Sequence, residues 1–296
     1  MAKIRLRLTR INYTVAGAIA ALASVAIIVS FADGERSEPA RCPPGLKAEG
    51  PRCCGVGQGV TGEGQCTGIA ETCAADMTRD STGSCTTIAQ RIHFPGGAMQ
   101  LGSPDWEGTQ GAREIRVGAF DLDNIEVTIM RFRDCSKAGA CPQIPDVAES
   151  GRPVRNVSPE EASHFCVFAG GHLPTSDEWL FAAAGASSRK FPWGNTGLVC
   201  RRATFGLVKG PCAKQSNAGP DFAGARPDGA TAEGALDLSG NLAEWTVESD
   251  GSYRARGGSY RSELAAELVT WAEETRSTRA PHVGFRCAYA PHDGPT

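Results

Sequence analysis

Two segments in the middle of the chain combine the apolar spacing of amphipathic helices with helix start and stop signals. In residues 157–171 (VSPEEASHFCVFAGG), apolar side chains recur three and four positions apart, which places them on one helix face. Ser158 is a preferred N-cap residue, Glu161 completes a capping box, and a Gly-Gly pair ends the pattern. Residues 173–185 (LPTSDEWLFAAAG) repeat these signals with Thr175 as the cap. The sequence therefore predicts two short helices.

The regions around these helices show the shorter period of strands, or no period. Residues 91–101 form a β-like segment with a Gly-Gly turn, and residues 115–119 alternate between apolar and polar side chains, as in a half-buried strand. Gly, Pro and Asn dominate from the second helix to residue 239, which is typical of long loops. The pattern predicts a packed domain from about residue 91, with short helices and strands between long loops.

The first 32 residues have the layout of an export signal. Basic side chains precede an apolar run at 11–32, which predicts an apolar helix whose positive end stays in the cytoplasm. Small residues at positions 30 and 32 fit cleavage of a signal peptide before Asp33. The run from 14 to 32 is also close to the ~20 residues that span a bilayer as an anchor. Both interpretations export the rest of the chain, to the periplasm or the extracellular space, and limit membrane contact to residues 11–32.

Residues 33–90 are rich in cysteine and poor in apolar periodicity. This segment contains the six cysteines Cys42, Cys53, Cys54, Cys66, Cys73 and Cys85. Such a segment is expected to be held by disulfides, because it cannot bury enough apolar surface otherwise. The pairing stays open at this point. A zinc site is disfavoured, since CxxC pairs with histidine partners are absent.

Composition and charge narrow the class of protein. The 36 Gly and 18 Pro among 296 residues indicate many turns, and 41% hydrophobic residues suffice for a core. A coiled coil, a collagen-like repeat and a highly charged disordered chain are therefore excluded. The formal net charge is −3 and Lys and Arg form no block, so no nucleic-acid partner is expected. Twelve cysteines point to an oxidising compartment.

Seven motifs occur in one order between residues 91 and 290. They are PGGAMQLGS, FDLDNIEVT, EEASHFCVFAGGHLPTSDEW, FPWG, DLSGNLAEW, RGGSY and VGFRC. In this order they resemble the formylglycine-generating enzyme family, also called sulfatase-modifying factors. The resemblance implies one α+β domain over residues 91–291, with a C-type-lectin-like fold, little regular secondary structure and calcium sites, followed by a tail at 292–296. In active members it also implies an oxidase that uses O2 and copper(I), held by two cysteines, to convert a substrate cysteine into formylglycine.

The two copper-binding cysteines that the resemblance implies are replaced in this chain. They follow the aromatic residue of the GGS-aromatic motif by two and seven positions in active members. Here that residue is Tyr260, which places Ser262 and Glu267 at these positions. Copper(I) prefers sulfur ligands, so copper is not expected. The expected degenerate pocket consists of Ser259, Ser262, Glu267 and His282.

Two other positions depart from the family pattern. Ala243 stands where a tryptophan is common, and His282 stands where an asparagine is usual. His282 and Glu267 are a candidate acid/base pair, although two solvated polar side chains on a loop are the favoured interpretation. The five histidines of the chain show no paired spacing with a carboxylate, which disfavours an iron site.

Structural calcium is the cofactor that the resemblance favours. The implied ligands are the side chains of Asp237 and Glu244 and the carbonyl oxygens of Gly240 and Leu242. Carboxylate and carbonyl oxygens around a tight turn are the donors that Ca²⁺ takes, although both carboxylates also suit turn caps. A second implied site would use Asn217, with Asp221 as a further candidate.

The remaining six cysteines have expected partners in the domain. Short spacing pairs Cys135 with Cys141 and Cys200 with Cys212. The two that are left, Cys166 and Cys287, match the bridge that the resemblance implies between the first helix and the VGFRC motif. The motif aromatics are expected in the core; they are Trp179, Trp193, Trp245 and Phe285.

Two classes of function follow from these observations. The first is an exported, non-catalytic module that binds a protein, peptide or glycan through the cleft that the family uses for its substrate peptide. The second is an enzyme, either a formylglycine-generating oxidase with relocated ligands or another oxidoreductase on the same scaffold, because a fold alone does not determine function. The missing cysteine pair favours the first class.

Overall fold

The computed structural model describes residues 42, 44–49, 52–60, 66–75, 77–79, 83–101, 113–145, 151–212, 219–275 and 278–292. The helices in this part of the chain are α1 (Ile129–Lys137), α2 (Pro159–Phe168) and α3 (Ser176–Ala184). The strands before the helices are β1 (Leu46–Glu49), β2 (Arg52–Gly55), β3 (Gly59–Val60), β4 (Cys66–Thr67), β5 (Met77–Arg79), β6 (Cys85–Thr87), β7 (Arg91–Phe94), β8 (Gly97–Leu101), β9 (Arg113–Val117) and β10 (Phe120–Asp123). The strands after the helices are β11 (Ala243–Val247), β12 (Tyr253–Arg256), β13 (Glu273–Thr275), β14 (Val283–Gly284) and β15 (Ala288–Tyr289). Two 3-10 turns lie at Pro227–Gly229 and Ala265–Glu267.

Two small sheets organise the part of the chain that follows residue 91. In the first sheet β10 lies between β7 and β15 and is antiparallel to both, so the start and the end of this part share one sheet. The second sheet has the order β13-β12-β11-β14, and β14 runs parallel to β11. β8 and β9 form a hairpin, and the earlier strands pair as β1-β2, β3-β4 and β5-β6. The architecture is the mixed one of short strands and few helices that the sequence predicts.

Both predicted helices form, and each begins with its predicted capping box. The Ser158 backbone N–H donates to the Glu161 carboxylate over 2.7 Å, while the Ser158 hydroxyl accepts from the Glu161 backbone. Thr175 and Glu178 make the same reciprocal pair at the start of α3. Gly185 follows α3 with a φ of 63°, in the region that glycine adopts without a steric cost. Local signals are therefore sufficient to define these two helices.

The sequence pattern did not predict α1. Thr128 caps this helix by accepting from the Arg131 backbone N–H. Its buried residues are Phe132, Cys135 and Ser136. One of the three is a serine and another is a cysteine, so no apolar repeat marks the helix.

The strand predictions are correct in kind and differ in detail. Residues 91–101 do form two strands around the Gly-Gly turn, but β7 pairs with β10 and β8 pairs with β9. The alternating segment ends at Val117, and Ala119 is exposed beyond the end of β9. Sequence alternation identifies the strands because it is local, whereas the partner of each strand is set by distant residues.

Most of the motif aromatics lie in the core, as predicted. Trp179, Trp245 and Phe285 are completely buried. Phe285 packs edge-on against Phe165 of α2, with ring centroids 5.4 Å apart. Trp193 differs, because it is only partly buried where it stacks on Phe191.

A buried arginine joins four separate segments of the domain. Arg286 is fully buried and forms a two-point ion pair with Glu244 of β11, with N–O distances of 2.7 and 2.8 Å. Its remaining N–H groups donate to the carbonyl oxygens of Asp123 and Leu236. The indole N–H of Trp179 in α3 donates to the same Glu244 carboxylate over 2.7 Å. Burial lowers the pKa of Arg286, but the neighbouring carboxylates outweigh this effect and raise the pKa above its ordinary value.

Disulfides connect all six cysteines of the 33–90 segment in sequential pairs. The bonds are Cys42–Cys53, Cys54–Cys66 and Cys73–Cys85. Each bond closes a loop of 11 or 12 residues. Because every cysteine of this segment is in a disulfide, none can supply a thiolate ligand to zinc.

The domain contains the three disulfides that were expected. They are Cys135–Cys141, Cys200–Cys212 and Cys166–Cys287. The last bond spans 121 residues and joins α2 to the segment before β15. This bond restricts the unfolded chain more than the others do, because it closes the longest loop. Its loss is expected to lower the free energy of unfolding by about 4–5 kcal/mol in the loop-entropy treatment.

The predicted export segment at 11–32 lies outside the described residues, as does the tail beyond 292. Among the residues that are described, no helix has the length and apolar character needed to cross a bilayer.

The disulfide arrangement predicts that the folded protein has no reactive thiol. All twelve cysteines are described, and each belongs to a disulfide. A thiol reagent in denaturant without reductant is expected to find no thiol, and after reduction it is expected to find all twelve. Two or more thiols per chain before reduction would contradict the assigned pairs.

The buried ion pair predicts a large effect of Arg286→Met on the free energy of unfolding. This change leaves Glu244 in the interior without its counter-charge, which is expected to cost about 3–5 kcal/mol in urea denaturation. Adding Glu244→Leu is expected to recover part of the loss, because it removes the unpaired charge.

Arg279→Met provides the matched control, since Arg279 forms an exposed ion pair with Glu161. Its expected cost is roughly 0–1 kcal/mol. An Arg286→Met loss no larger than that of the control would show that the buried pair does not hold these segments together.

Candidate functional site

The four residues of the expected degenerate pocket line one cavity. Ser259, Ser262, Glu267 and His282 all contribute to its wall, and its volume is about 680 Å³. The remaining lining residues are Ala243, Ala255, Gly258, Arg261, Ala266, Trp271, Ala272, Glu273 and Glu274. Its floor is formed by β11 and β12 and its rim by β13 and the 3-10 turn at Ala265–Glu267. The RGGSY motif therefore does lie at a pocket of a size suited to a ligand.

Two glycines allow the chain to turn tightly at the cavity. Gly257 and Gly258 have φ values of 88° and 64°, which other residues rarely adopt. A Cβ atom on Gly258 would lie 2.3 Å from the Glu267 carbonyl oxygen and 3.0 Å from the Ser262 Oγ. Positions 262 and 267 thus meet across a glycine that has no room for a side chain.

The side chains at these two positions are occupied by their own backbone neighbours. Ser262 Oγ accepts from the Ser259 N–H over 3.0 Å. The Glu267 carboxylate accepts from the N–H groups of Glu263 and Leu264 over 2.7 and 3.0 Å. Both side chains therefore stabilise the local turn.

His282 does not form the candidate acid/base pair with Glu267. Its Nε2 lies 3.3 Å from the Glu274 carboxylate, while Glu267 caps the 3-10 turn. The acid/base interpretation is wrong for this arrangement, because each member has another partner. The His282 Nδ1 is buried and has no hydrogen-bond partner among the described residues.

Trp271 is the aromatic residue of the cavity, and the sequence analysis missed it. It is half-buried and lies in the wall of the cavity. Trp271 lies outside the seven motifs, in a segment after RGGSY that has no recognisable pattern. Its presence gives the cavity an apolar, aromatic surface beside several carboxylates.

Copper(I) does not fit the donors at this site. The two positions that match the family's copper ligands supply a hydroxyl and a carboxylate, and every cysteine of the chain is in a disulfide. Hard oxygen donors suit a soft monovalent ion poorly.

The predicted calcium ligand Glu244 has partners within the protein. Both of its oxygens accept hydrogen bonds from Arg286, and one accepts from Trp179 as well. The guanidinium neutralises the charge of the Glu244 carboxylate. Calcium binding by Glu244 stays a prediction.

Asp237 lies in a more negative environment than Glu244. Burial raises the pKa of Asp237 to about 6, despite a hydrogen bond from the Gly224 N–H and the charge of Arg286. Burial, Asp237 and Glu244 together raise the pKa of the nearby Glu126 well above its usual range. Calcium binding near Asp237, with the Gly240 and Leu242 carbonyls, stays a prediction.

The second predicted calcium site is only partly described. Asn217 lies outside the described residues. Asp221 is buried and forms an ion pair with Arg226, with an N–O distance of 3.3 Å. This site also stays a prediction.

Comparison with known proteins agrees with the motif order. The profile of the sulfatase-modifying factor enzyme 1-like domain matches residues 77–291. An inactive C-alpha-formylglycine-generating enzyme 2 from Bos taurus is 33% identical over 266 residues, covering 67% of this chain and 87% of the relative. The formylglycine-generating enzyme of Mus musculus is 30% identical over 181 residues, but these cover 50% of this chain and 47% of the relative.

Solved structures show the same fold at low sequence identity. Variable protein 1 of Treponema denticola superposes with a TM-score of 0.54 at 19% identity, covering 73% of this chain and 98% of that protein. PvdO from Pseudomonas aeruginosa superposes with a TM-score of 0.53 at 18% identity, covering 72% and 97%. At these identities the likeness concerns the fold alone. Because the family profile matches most of its length, the chain belongs to the sulfatase-modifying factor enzyme 1-like domain family.

Proposed function

We propose that this chain is an exported, non-catalytic member of its family that binds an extended peptide segment of another protein in the cavity. The observation that carries the proposal is a cavity of about 680 Å³ whose two copper-ligand positions hold Ser262 and Glu267. A pocket that lacks the reactive ligands of active members but has an aromatic wall is suited to binding.

Relatives support the non-catalytic part of the proposal. Two curated relatives, from Mus musculus and Bos taurus, are named inactive C-alpha-formylglycine-generating enzyme 2. The alignments cover 84% and 87% of these proteins. Loss of activity has therefore occurred within this family.

The rim of the cavity favours a peptide over a glycan. β13 supplies two lining residues and is the outer strand of its sheet. In the described part of the chain no strand pairs with its outer side, and an extended peptide adds to such an edge through backbone hydrogen bonds. A peptide is therefore the ligand with which this edge is most compatible.

The polar groups of the cavity favour a basic residue in that peptide. Glu273 and Glu274 have side chains that are 45% and 46% exposed, and Arg261 is the one basic side chain besides His282 among the lining residues. The buried Nδ1 of His282 is a further polar atom that a bound group can satisfy. Glu273 pairs with Arg256 and Glu274 with His282, and the exposed parts of both carboxylates attract Lys or Arg.

Export is supported by the chemistry of the cysteines. Six disulfides form and persist in an oxidising compartment, and the sequence begins with basic residues followed by an apolar run.

Blocking the cavity is expected to abolish peptide binding. Ala266 is exposed and lines the cavity, whereas its neighbour Ala265 is exposed but does not. Peptides with a basic residue should be enriched from a displayed random library by the wild-type chain and by Ala265→Trp, and not by Ala266→Trp. Equal enrichment by both variants would contradict binding in the cavity, and binding on a glycan array in place of peptides would contradict the choice of ligand.

The alternative function is cysteine oxidation, and the chain is expected not to oxidise a cysteine peptide even when copper is supplied. The chain is incubated with a Cys-x-Pro-x-Arg peptide, O2 and copper(I), and mass spectrometry is used to look for the aldehyde. We expect no aldehyde above a copper-only control, because the site offers oxygen donors to a soft ion. The double variant Ser262→Cys with Glu267→Cys is expected to gain copper(I) binding, since the two positions meet across Gly258. Aldehyde formation by the unchanged chain would establish the oxidase in place of the binding module.

A further inference from the structure

Two histidines flank one buried aspartate on the sheet formed by β7, β10 and β15. His93 of β7 is the register partner of Asp121 in β10, and its Nδ1 lies 2.9 Å from Asp121 Oδ1. His292 follows β15, the strand on the other side of β10, and its Nδ1 lies 2.5 Å from Asp121 Oδ2. The order of the three strands thus places an imidazole on each side of a single carboxylate.

The cluster is open to ions from solution. The Asp121 side chain is 1% exposed, whereas the side chains of His93 and His292 are 45% and 63% exposed. One ring nitrogen from each histidine and one oxygen of Asp121 all lie within 4.8 Å of one another. The carboxylate forms the floor and the two imidazoles form the walls of a shallow site.

We propose that His93, Asp121 and His292 bind a divalent transition-metal ion such as Zn²⁺. Two imidazole nitrogens and one carboxylate oxygen form the donor set that zinc takes when it keeps an open coordination position. Imidazole also selects against Ca²⁺ and Mg²⁺, which prefer oxygen ligands. The site is distinct from the predicted calcium positions and from the cavity.

Zinc binding requires the donor atoms, which lie within 4.8 Å of one another, to adjust their separations. Donors at 2.0–2.1 Å from a tetrahedral zinc ion lie about 3.3 Å from each other. The present separations of 2.9 and 2.5 Å are shorter, and rotation of the exposed imidazoles lengthens them. The rings lie edge to face with centroids 5.8 Å apart, so neither blocks the other.

The aspartate is held in place by the backbone, as metal ligands are. The His292 N–H donates to Asp121 Oδ2 over 3.0 Å, in addition to the contact made by the His292 ring. Such hydrogen bonds orient a ligating carboxylate and contribute to metal affinity. A bound ion would link β7, β10 and the segment after β15, and so stabilise the folded state.

Zinc binding by the untagged full-length chain tests the proposal. After removal of metal with a chelator, equilibrium dialysis with Zn²⁺ measures the stoichiometry, and a thermal melt measures the shift in Tm. We expect one Zn²⁺ per chain and a higher Tm with zinc. With Co²⁺ as the probe we expect visible absorption bands from histidine and carboxylate ligands.

Two histidine variants test whether the cluster binds a metal ion or only forms hydrogen bonds. His292→Ala and His93→Gln are expected to lower zinc affinity by roughly tenfold or more and to remove the zinc-dependent Tm shift. Both positions are exposed, so the variants are expected to fold. His164→Ala, on the exposed face of α2, and His172→Ala, whose ring pairs with Glu178, are the controls and should bind like the wild type. Absence of zinc binding by the wild type, or unchanged binding by both cluster variants, would overturn the proposal and leave the cluster as hydrogen bonds alone.

Discussion

The charge of Arg286, buried without contact with water, constrains the rest of the domain. A guanidinium is tolerated in the interior only when its charge and its N–H groups are satisfied, and here the partners come from four separate places in the chain: Glu244, Asp123, Leu236 and, through Glu244, Trp179. None of these segments can shift without exposing or unpairing a charge. The packing around the aromatic core is therefore tied to one orientation of β11.

The cavity depends on this constraint because β11 forms part of its floor. Ala243, which lines the cavity, precedes Glu244 in the same strand. The orientation of Glu244 toward Arg286 therefore also determines which face of β11 borders the cavity. In this chain the scaffold rests on the buried pair and the glycine turn, whereas the side chains at positions 262 and 267 stabilise only the local turn.

The features that the sequence predicted are those that depend on neighbouring residues. The capping boxes at Ser158 and Thr175 lie within one helical turn, and the residues of the degenerate pocket follow from their places in motifs. The cluster of His93, Asp121 and His292 was missed because its members are 28 and 171 residues apart, and their strand order appears only in the folded sheet. The ion pair of Glu244 with Arg286 was missed for the same reason, since the two residues are 42 positions apart.

The disulfide connectivity determines the order in which the bonds can form as the chain is synthesised. In the cysteine-rich segment the six cysteines bond in successive pairs along the chain, so every bond can form as soon as its second thiol is present. Cys166 is different: its partner follows 121 residues later, after the complete Cys200–Cys212 loop. Until then Cys166 can exchange with other thiols. The cysteine-rich segment can therefore be crosslinked before the domain is complete, and the domain closes only when Cys287 is present.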